Sequence, residues 1–158
     1  MSNAALNTDL RDLYQDLILD HGKHPRNFRV LPAHNREALG HNPLCGDRLM
    51  LYLIVGEDGK ISDVAFQGSG CAISMASASM MTEMLKNKTI ADAETLFRYL
   101  HAAATGAATD AGGIAEDDIE RLKALGGVRH YPMRVKCATL AWHTMQAALK
   151  NEQKVSTE

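Results

Sequence analysis

Cys45, Cys71 and Cys137 are the three cysteines of the chain, and Asp47 follows the first of them by two residues. Their local texts are Pro43-Leu44-Cys45-Gly46-Asp47, Gly68-Ser69-Gly70-Cys71-Ala72 and Arg134-Val135-Lys136-Cys137-Ala138. None has the apolar surroundings of an inert core thiol. Three thiolates and one carboxylate make a four-ligand tetrahedral set, and soft sulfur donors favour zinc, Cu(I) or iron–sulfur chemistry over magnesium or calcium. The bland alternative is that these are small buried residues, as free cysteines commonly are. Asp47 argues against it, because a carboxylate beside a buried thiol needs a partner.

Gly46 lets the backbone bend so that Cys45 and Asp47 can converge. Cys71 stands at the expected start of a helix, where free amides and the helix dipole favour a thiolate. Cys137 is expected near the start of the last helix, flanked by Arg134 and Lys136, whose charge can serve a thiolate or persulfide as accessory groups. Among seven histidines, His41 is near enough to Cys45 to be an accessory or alternative ligand, and His21 and His24 with Arg26 and Asn27 are candidates for a partner surface. Met75, Met80, Met81 and Met84 read as core rather than copper ligands. Ser-His-Asp, P-loop, dinucleotide and metalloprotease patterns are missing from the sequence.

The elements that must position these residues follow from periodicity. Leu10, Leu13, Tyr14, Leu17 and Ile18 predict a helix from Asp9 to Asp20, with Gly22 as stop and Pro25 beyond it. Arg48–Val55 and Lys60–Gln67 predict a hairpin closed at Gly56-Glu57-Asp58-Gly59, and Glu37–His41 supplies a third strand. Helices are expected over Ile73–Leu85, Ile90–Ala103, Ala115–Leu125 and Cys137–Lys150, with a flexible loop at Gly106–Gly113 and a frayed tail after Asn151. This order gives an α+β fold, a small antiparallel sheet of about three strands packed against several helices.

At 158 residues the chain fits a single domain with a core that needs no disulfide. Seventeen basic residues against nineteen acidic ones, scattered along the chain, give no electrostatic reason to bind nucleic acid. No apolar run suits a membrane span and the first residues do not read as a signal peptide, so a cytoplasmic location is expected, where an odd count of reduced thiols suits metal binding or thiol chemistry.

From about Leu13 to Leu149 the chain resembles the U-type iron–sulfur assembly proteins, the family of IscU, SufU and the N-terminal domain of NifU. The resemblance rests on Leu13-Tyr14-Gln15-Asp16-Leu17-Ile18-Leu19-Asp20-His21, Pro25-Arg26-Asn27, Asn42-Pro43-Leu44-Cys45-Gly46-Asp47, Gly68-Ser69-Gly70-Cys71-Ala72-Ile73-Ser74 and Arg134-Val135-Lys136-Cys137-Ala138-Thr139-Leu140-Ala141. Two features are similar to the SufU branch: a longer segment between Cys71 and Cys137, with an insertion around 104–130, and Lys136, where scaffold-type members carry a histidine. A protonated lysine has no lone pair for a metal.

The resemblance implies a SufE/IscU-like fold over a single domain, 1–158, and a zinc site formed by Cys45, Asp47, Cys71 and Cys137. It implies a zinc-dependent sulfurtransferase, with Cys45 accepting persulfide sulfur from a SufS-type, pyridoxal-phosphate cysteine desulfurase that lends a histidine to the zinc. The sulfur then goes to downstream iron–sulfur assembly or apo-acceptor proteins. The alternatives are a scaffold that binds iron and assembles a [2Fe–2S] cluster on the same ligands, and a structural zinc domain.

Overall fold

The computed structural model describes residues 15–107, 112–151 and 154–156, and helix α1 runs through 15–23. The beginning of the expected first helix, through residue 14, and the centre of the expected Gly106–Gly113 loop lie outside the described residues. Gly22 does not end α1, which continues to residue 23. A Cβ on Gly22 would sit 3.0 Å from the Ala72 carbonyl oxygen, so this glycine serves close packing instead.

Three antiparallel strands follow, β1 (Arg36–Asn42), β2 (Asp47–Val55) and β3 (Ile61–Ser69). The turn between β2 and β3 is closed by the Gly56 amide donating to Lys60 O at 2.9 Å, while Asp58 Oδ1 accepts from the Lys60 amide at 3.0 Å. The helices are α2 (Ala72–Leu85), α3 (Ile90–Thr105), α4 (Glu116–Gly126) and α5 (Pro132–Leu149), with a 3₁₀ turn at Gly127–His130 before α5. Helix α5 begins earlier than expected because Pro132, suited to a first helical position, starts it. Cys137 therefore lies in the second turn rather than at the first residues of the helix.

The tail also departs from expectation. Lys154–Ser156 form a short strand, β4, which pairs parallel with β1 at Leu39, Gly40 and His41. The sheet order is β3-β2-β1-β4, so the backbone groups on the free side of β1 gain partners.

Along β2, Leu49, Leu51 and Leu53 point inward and are buried, whereas Met50, Tyr52 and Ile54 face outward and are only partly covered. This is the period-two pattern of a sheet with one packed face. The covered face meets α2 and α5, whose Met80, Met81, Met84, Leu140 and Trp142 are buried in the same cluster. Trp142 Nε1 donates to Ser77 Oγ at 3.1 Å, and Ser77 Oγ donates to the Ala138 carbonyl. Both polar groups enter the core satisfied. Among the described residues no helix is long and apolar enough to cross a membrane.

Strand β1 runs directly over α5 at Gly40, where a Cβ would collide with Thr144 Oγ1 and press on Leu140. Gly40→Ala should therefore cost about 1–3 kcal/mol, the usual penalty of overpacking. Urea unfolding measures it, and adding Thr144→Ala should return part of the loss.

Candidate metal centre

The loop Pro43-Leu44-Cys45-Gly46 joins β1 to β2, and the two residues that close it, Asn42 and Asp47, are directly opposed across the strands. The Cys45 amide donates to Asn42 O at 3.3 Å, and Gly46 takes φ +72°, a left-handed conformation costly for other residues. Asp47 begins β2 on its inward face and is fully buried. The turn therefore leaves Cys45 half-buried above a carboxylate that is sealed from solvent.

Helix α2 meets this loop end-on. Cys71 is its N-cap, accepting from the Ser74 amide at 3.5 Å, and the Cys71 amide donates to Asp47 Oδ1 at 2.9 Å. Gly70 permits the approach, since a Cβ there would stand 2.6 Å from the same carboxylate oxygen. From below, the second turn of α5 brings in Cys137, which is fully buried.

One ligand atom each from Cys45, Asp47 and Cys137 lies within 4.8 Å of the others. Cys71 Sγ is outside this mutually close set, although its side chain and those of Asp47 and Cys45 all act on Cys137. Burial, and after it the neighbouring carboxylate and sulfurs, push the Cys137 thiol far up, so without a counter-charge it stays protonated. Asp47 Oδ2 is buried with no hydrogen-bond partner. A dication is what such a set lacks: it would ligate the orphaned oxygen and reverse the penalty on buried thiolates. The donor set therefore fits zinc, which takes sulfur and carboxylate ligands.

Arg134, one turn before Cys137 on α5 and exposed, is held more firmly in its charged form by the sulfurs of Cys71 and Cys137. It borders an open apolar cleft of about 470 Å³ lined by Ile18, Leu19, Ala72, Ile73, Val128 and Tyr131. Leu44, Tyr131 and Met133 add exposed apolar surface. The sequence alone did not reveal this cleft, because its walls come from α1, α2 and the turn before α5.

Other candidates are placed elsewhere. His41 opposes Arg48 on the outward face, whereas Asn42 and Asp47 pair on the inward face, so alternation turns the imidazole away from the sulfurs. Lys136 is half-buried beside Cys137 in sequence but about 100° around the helix from it. His21 is not surface: it is 3% exposed, with Nδ1 2.7 Å from Ser79 Oγ. Arg26 and Asn27 are half-buried and anchor their loop, the Arg26 amide donating to Ser79 Oγ at 2.8 Å and Asn27 Nδ2 to Thr82 Oγ1 at 3.0 Å. Of the four candidates for a partner surface, only His24 is exposed. Sequence reasoning also passed over Asn42, whose signal was its place opposite Asp47 in a short hairpin.

The profile of the NifU-like N terminal domain matches residues 13–137. The chain belongs to this family. A Bacillus subtilis (strain 168) relative named zinc-dependent sulfurtransferase SufU is 38% identical over 149 residues, covering 94% of this chain and 97% of that protein. The Streptococcus pyogenes serotype M1 protein named iron–sulfur cluster assembly scaffold protein IscU is 36% identical over 141 residues, with 89% of this chain and 85% of that one covered. Among solved structures, FiSufU from Fervidobacterium islandicum AW-1 superposes with a TM-score of 0.76 at 33% identity, over 84% of this chain and 93% of that chain. The NifU-like fold expected from the motifs is therefore the observed one.

Burial holds the His21 and His143 imidazoles below their ordinary range. The unfolded chain takes up those protons near pH 6.5 while the folded chain does not, so stability should fall as pH drops through about 6.5 and level off below the folded values. Denaturant midpoints recorded between about pH 7.5 and 5.5 should fall less in a His21→Asn/His143→Gln variant than in the unaltered protein.

Proposed function

We propose that the chain is a zinc-dependent sulfurtransferase of iron–sulfur cluster assembly, which accepts persulfide sulfur from a cysteine desulfurase and relays it to downstream assembly or apo-acceptor proteins. The observation that carries this reading is the convergence of Cys45, Asp47 and Cys137 around a buried carboxylate oxygen that has no partner. Similarity to a zinc-dependent sulfurtransferase across nearly the whole chain supports it. On this reading residues 1–158 work as one domain in the reducing cytoplasm, with the segment around 104–130 as an insertion, and the donor is a pyridoxal-phosphate desulfurase.

Cys45, Asp47, Cys71 and Cys137 would hold the zinc. When bound, zinc keeps its thiol ligands deprotonated near neutral pH. The chain's own residues divide the remaining work. Cys137 is fully buried and Asp47 is tied to the Cys71 amide, which makes them anchors. Cys45 and Cys71 are both half-buried; Cys71 is held as the N-cap of α2, whereas Cys45 lies on a loop next to Leu44 at 59% exposure and is the sulfur assigned to meet a partner. Its thiolate attacks the outer sulfur of the donor persulfide. A new S–S bond forms to Cys45 as the old one breaks, and the donor cysteine leaves as a thiolate. Arg134 supplies positive charge beside the anionic sulfur, and the apolar cleft and rim around it offer the docking surface.

Lys136 in place of a histidine weighs against a cluster scaffold. A structural zinc domain fits poorly, because the buried cluster of Leu51, Phe66, Met80 and Trp142 forms a core of its own.

Protein purified without oxygen and without added metal should contain about one zinc per chain and no acid-labile sulfide; iron with matching sulfide would favour the scaffold. Cys45→Ala should abolish transfer of labelled sulfur from a cysteine desulfurase while circular dichroism remains native, and undiminished transfer would refute the assignment. Asp47→Ala should weaken zinc retention by tenfold or more, on the order expected for loss of a ligand or its support, as read by chelator competition.

A further inference from the structure

Asn42 is fully buried, and neither its side-chain nitrogen nor its side-chain oxygen has a hydrogen-bond partner. A buried carboxamide with nothing to bond is costly, because each unmet group has lost its water without gaining a partner. An apolar residue would serve that position better if it only filled space. The residue directly opposite in the β1–β2 register is Asp47, also fully buried, whose Oδ2 is likewise without a partner. Side chains of directly opposed residues share one face, with Cβ atoms about 4.5–5.5 Å apart. Two orphaned polar groups with complementary chemistry, an amide donor and a carboxylate acceptor, thus face the same interior space at the closed end of the hairpin.

We propose that Asn42 is a positioning residue for the metal centre: its carboxamide supports the Asp47 carboxylate from the side that the Cys71 amide does not reach. The Cys71 N–H holds Oδ1 at 2.9 Å. Asn42 and Oδ2 are not bonded directly; through a buried water the Asn42 amide is the donor available to the lone pair of Oδ2 that a bound ion would leave free, and the side-chain carbonyl of Asn42 would accept from such a water. A ligating carboxylate oriented on both sides presents a fixed lone pair to the ion, and losing this kind of support usually costs about 10- to 100-fold in metal affinity. The backbone serves the same end, since Asn42 O accepts from the Cys45 amide at 3.3 Å and so fixes the loop carrying another ligand. The inference rests on the zinc reading of the site.

The test uses two variants whose side chains have the same number and branching of heavy atoms as asparagine. Asn42→Leu removes both polar atoms, and Asn42→Asp keeps the shape but removes the amide donor. Zinc affinity is measured by chelator competition, and the cobalt-substituted proteins are compared by their visible absorption. Both variants should bind zinc about 10- to 100-fold more weakly with an altered cobalt spectrum, whereas the metal-free Asn42→Leu protein should melt no lower than the unaltered one. Affinity within twofold and unchanged cobalt bands in both variants would overturn the proposal.

If neither variant folds, the carboxamide protons of Asn42 in the unaltered protein decide the question by nuclear magnetic resonance. Protected protons that shift on zinc addition support the role, and protons that exchange as freely as those of a surface asparagine overturn it. No desulfurase enters these measurements, so a chain that accepted no sulfur would leave this inference standing, and an unimportant Asn42 would leave the sulfur relay standing.

Discussion

The hydrogen bond from the Cys71 amide to Asp47 Oδ1, at 2.9 Å, joins the closed end of the β1–β2 hairpin to the first turn of α2. Most of the site depends on it. The carboxylate lies in the interior, where an unpaired charge costs several kcal/mol, and the amide is one of the free donors that every helix start presents. Each end of the contact meets a need of the other. Gly70 is required because a Cβ there would stand 2.6 Å from Oδ1, too close for the contact to survive. With Asp47 fixed, its neighbour Cys45 is carried to the mouth of the same pocket, and α5 closes the floor with Cys137.

The core makes this arrangement affordable without metal. The inward leucines of β2 and the buried faces of α2 and α5 pack around Trp142, and the sheet gains β4 along β1. The polar cluster then sits at one end of an apolar body instead of holding it together. This division separates stability from chemistry. Arg134 acts on the sulfurs of Cys71 and Cys137 and also lines the apolar cleft, which includes Ala72 next to the half-buried Cys71, so charge and apolar contact share one surface.

Much of the fold was legible because its signals are local. Alternating leucines in β2, the Gly-Glu-Asp-Gly turn and the 3.6-residue spacing of α2 to α4 each lie within a short stretch, and the observed boundaries differ from the expected ones by a few residues. The differences have tertiary causes. Gly22 reads as a stop but is used for contact with Ala72. Pro132 starts α5 before the apolar pattern shows it. The polar end of the chain becomes a strand only because β1 offers an unpaired edge.

For the site, residue type and spacing by themselves determined the chemistry: three cysteines and an aspartate in glycine-bearing texts specify a soft-metal, thiolate-based centre, because few other uses suit those donors. What the sequence could not decide was which candidates meet. His41 and Asp47 both lie within four residues of Cys45 along the chain, yet the period of the strand turns one outward and the other inward. His21 reads as surface but is buried against Ser79, and Asn42 reads as an ordinary loop residue but opposes Asp47 in the interior. Proximity across a fold depends on register, helix phase and the packing of distant elements, and those are properties of the assembled tertiary structure rather than of any local stretch of chain.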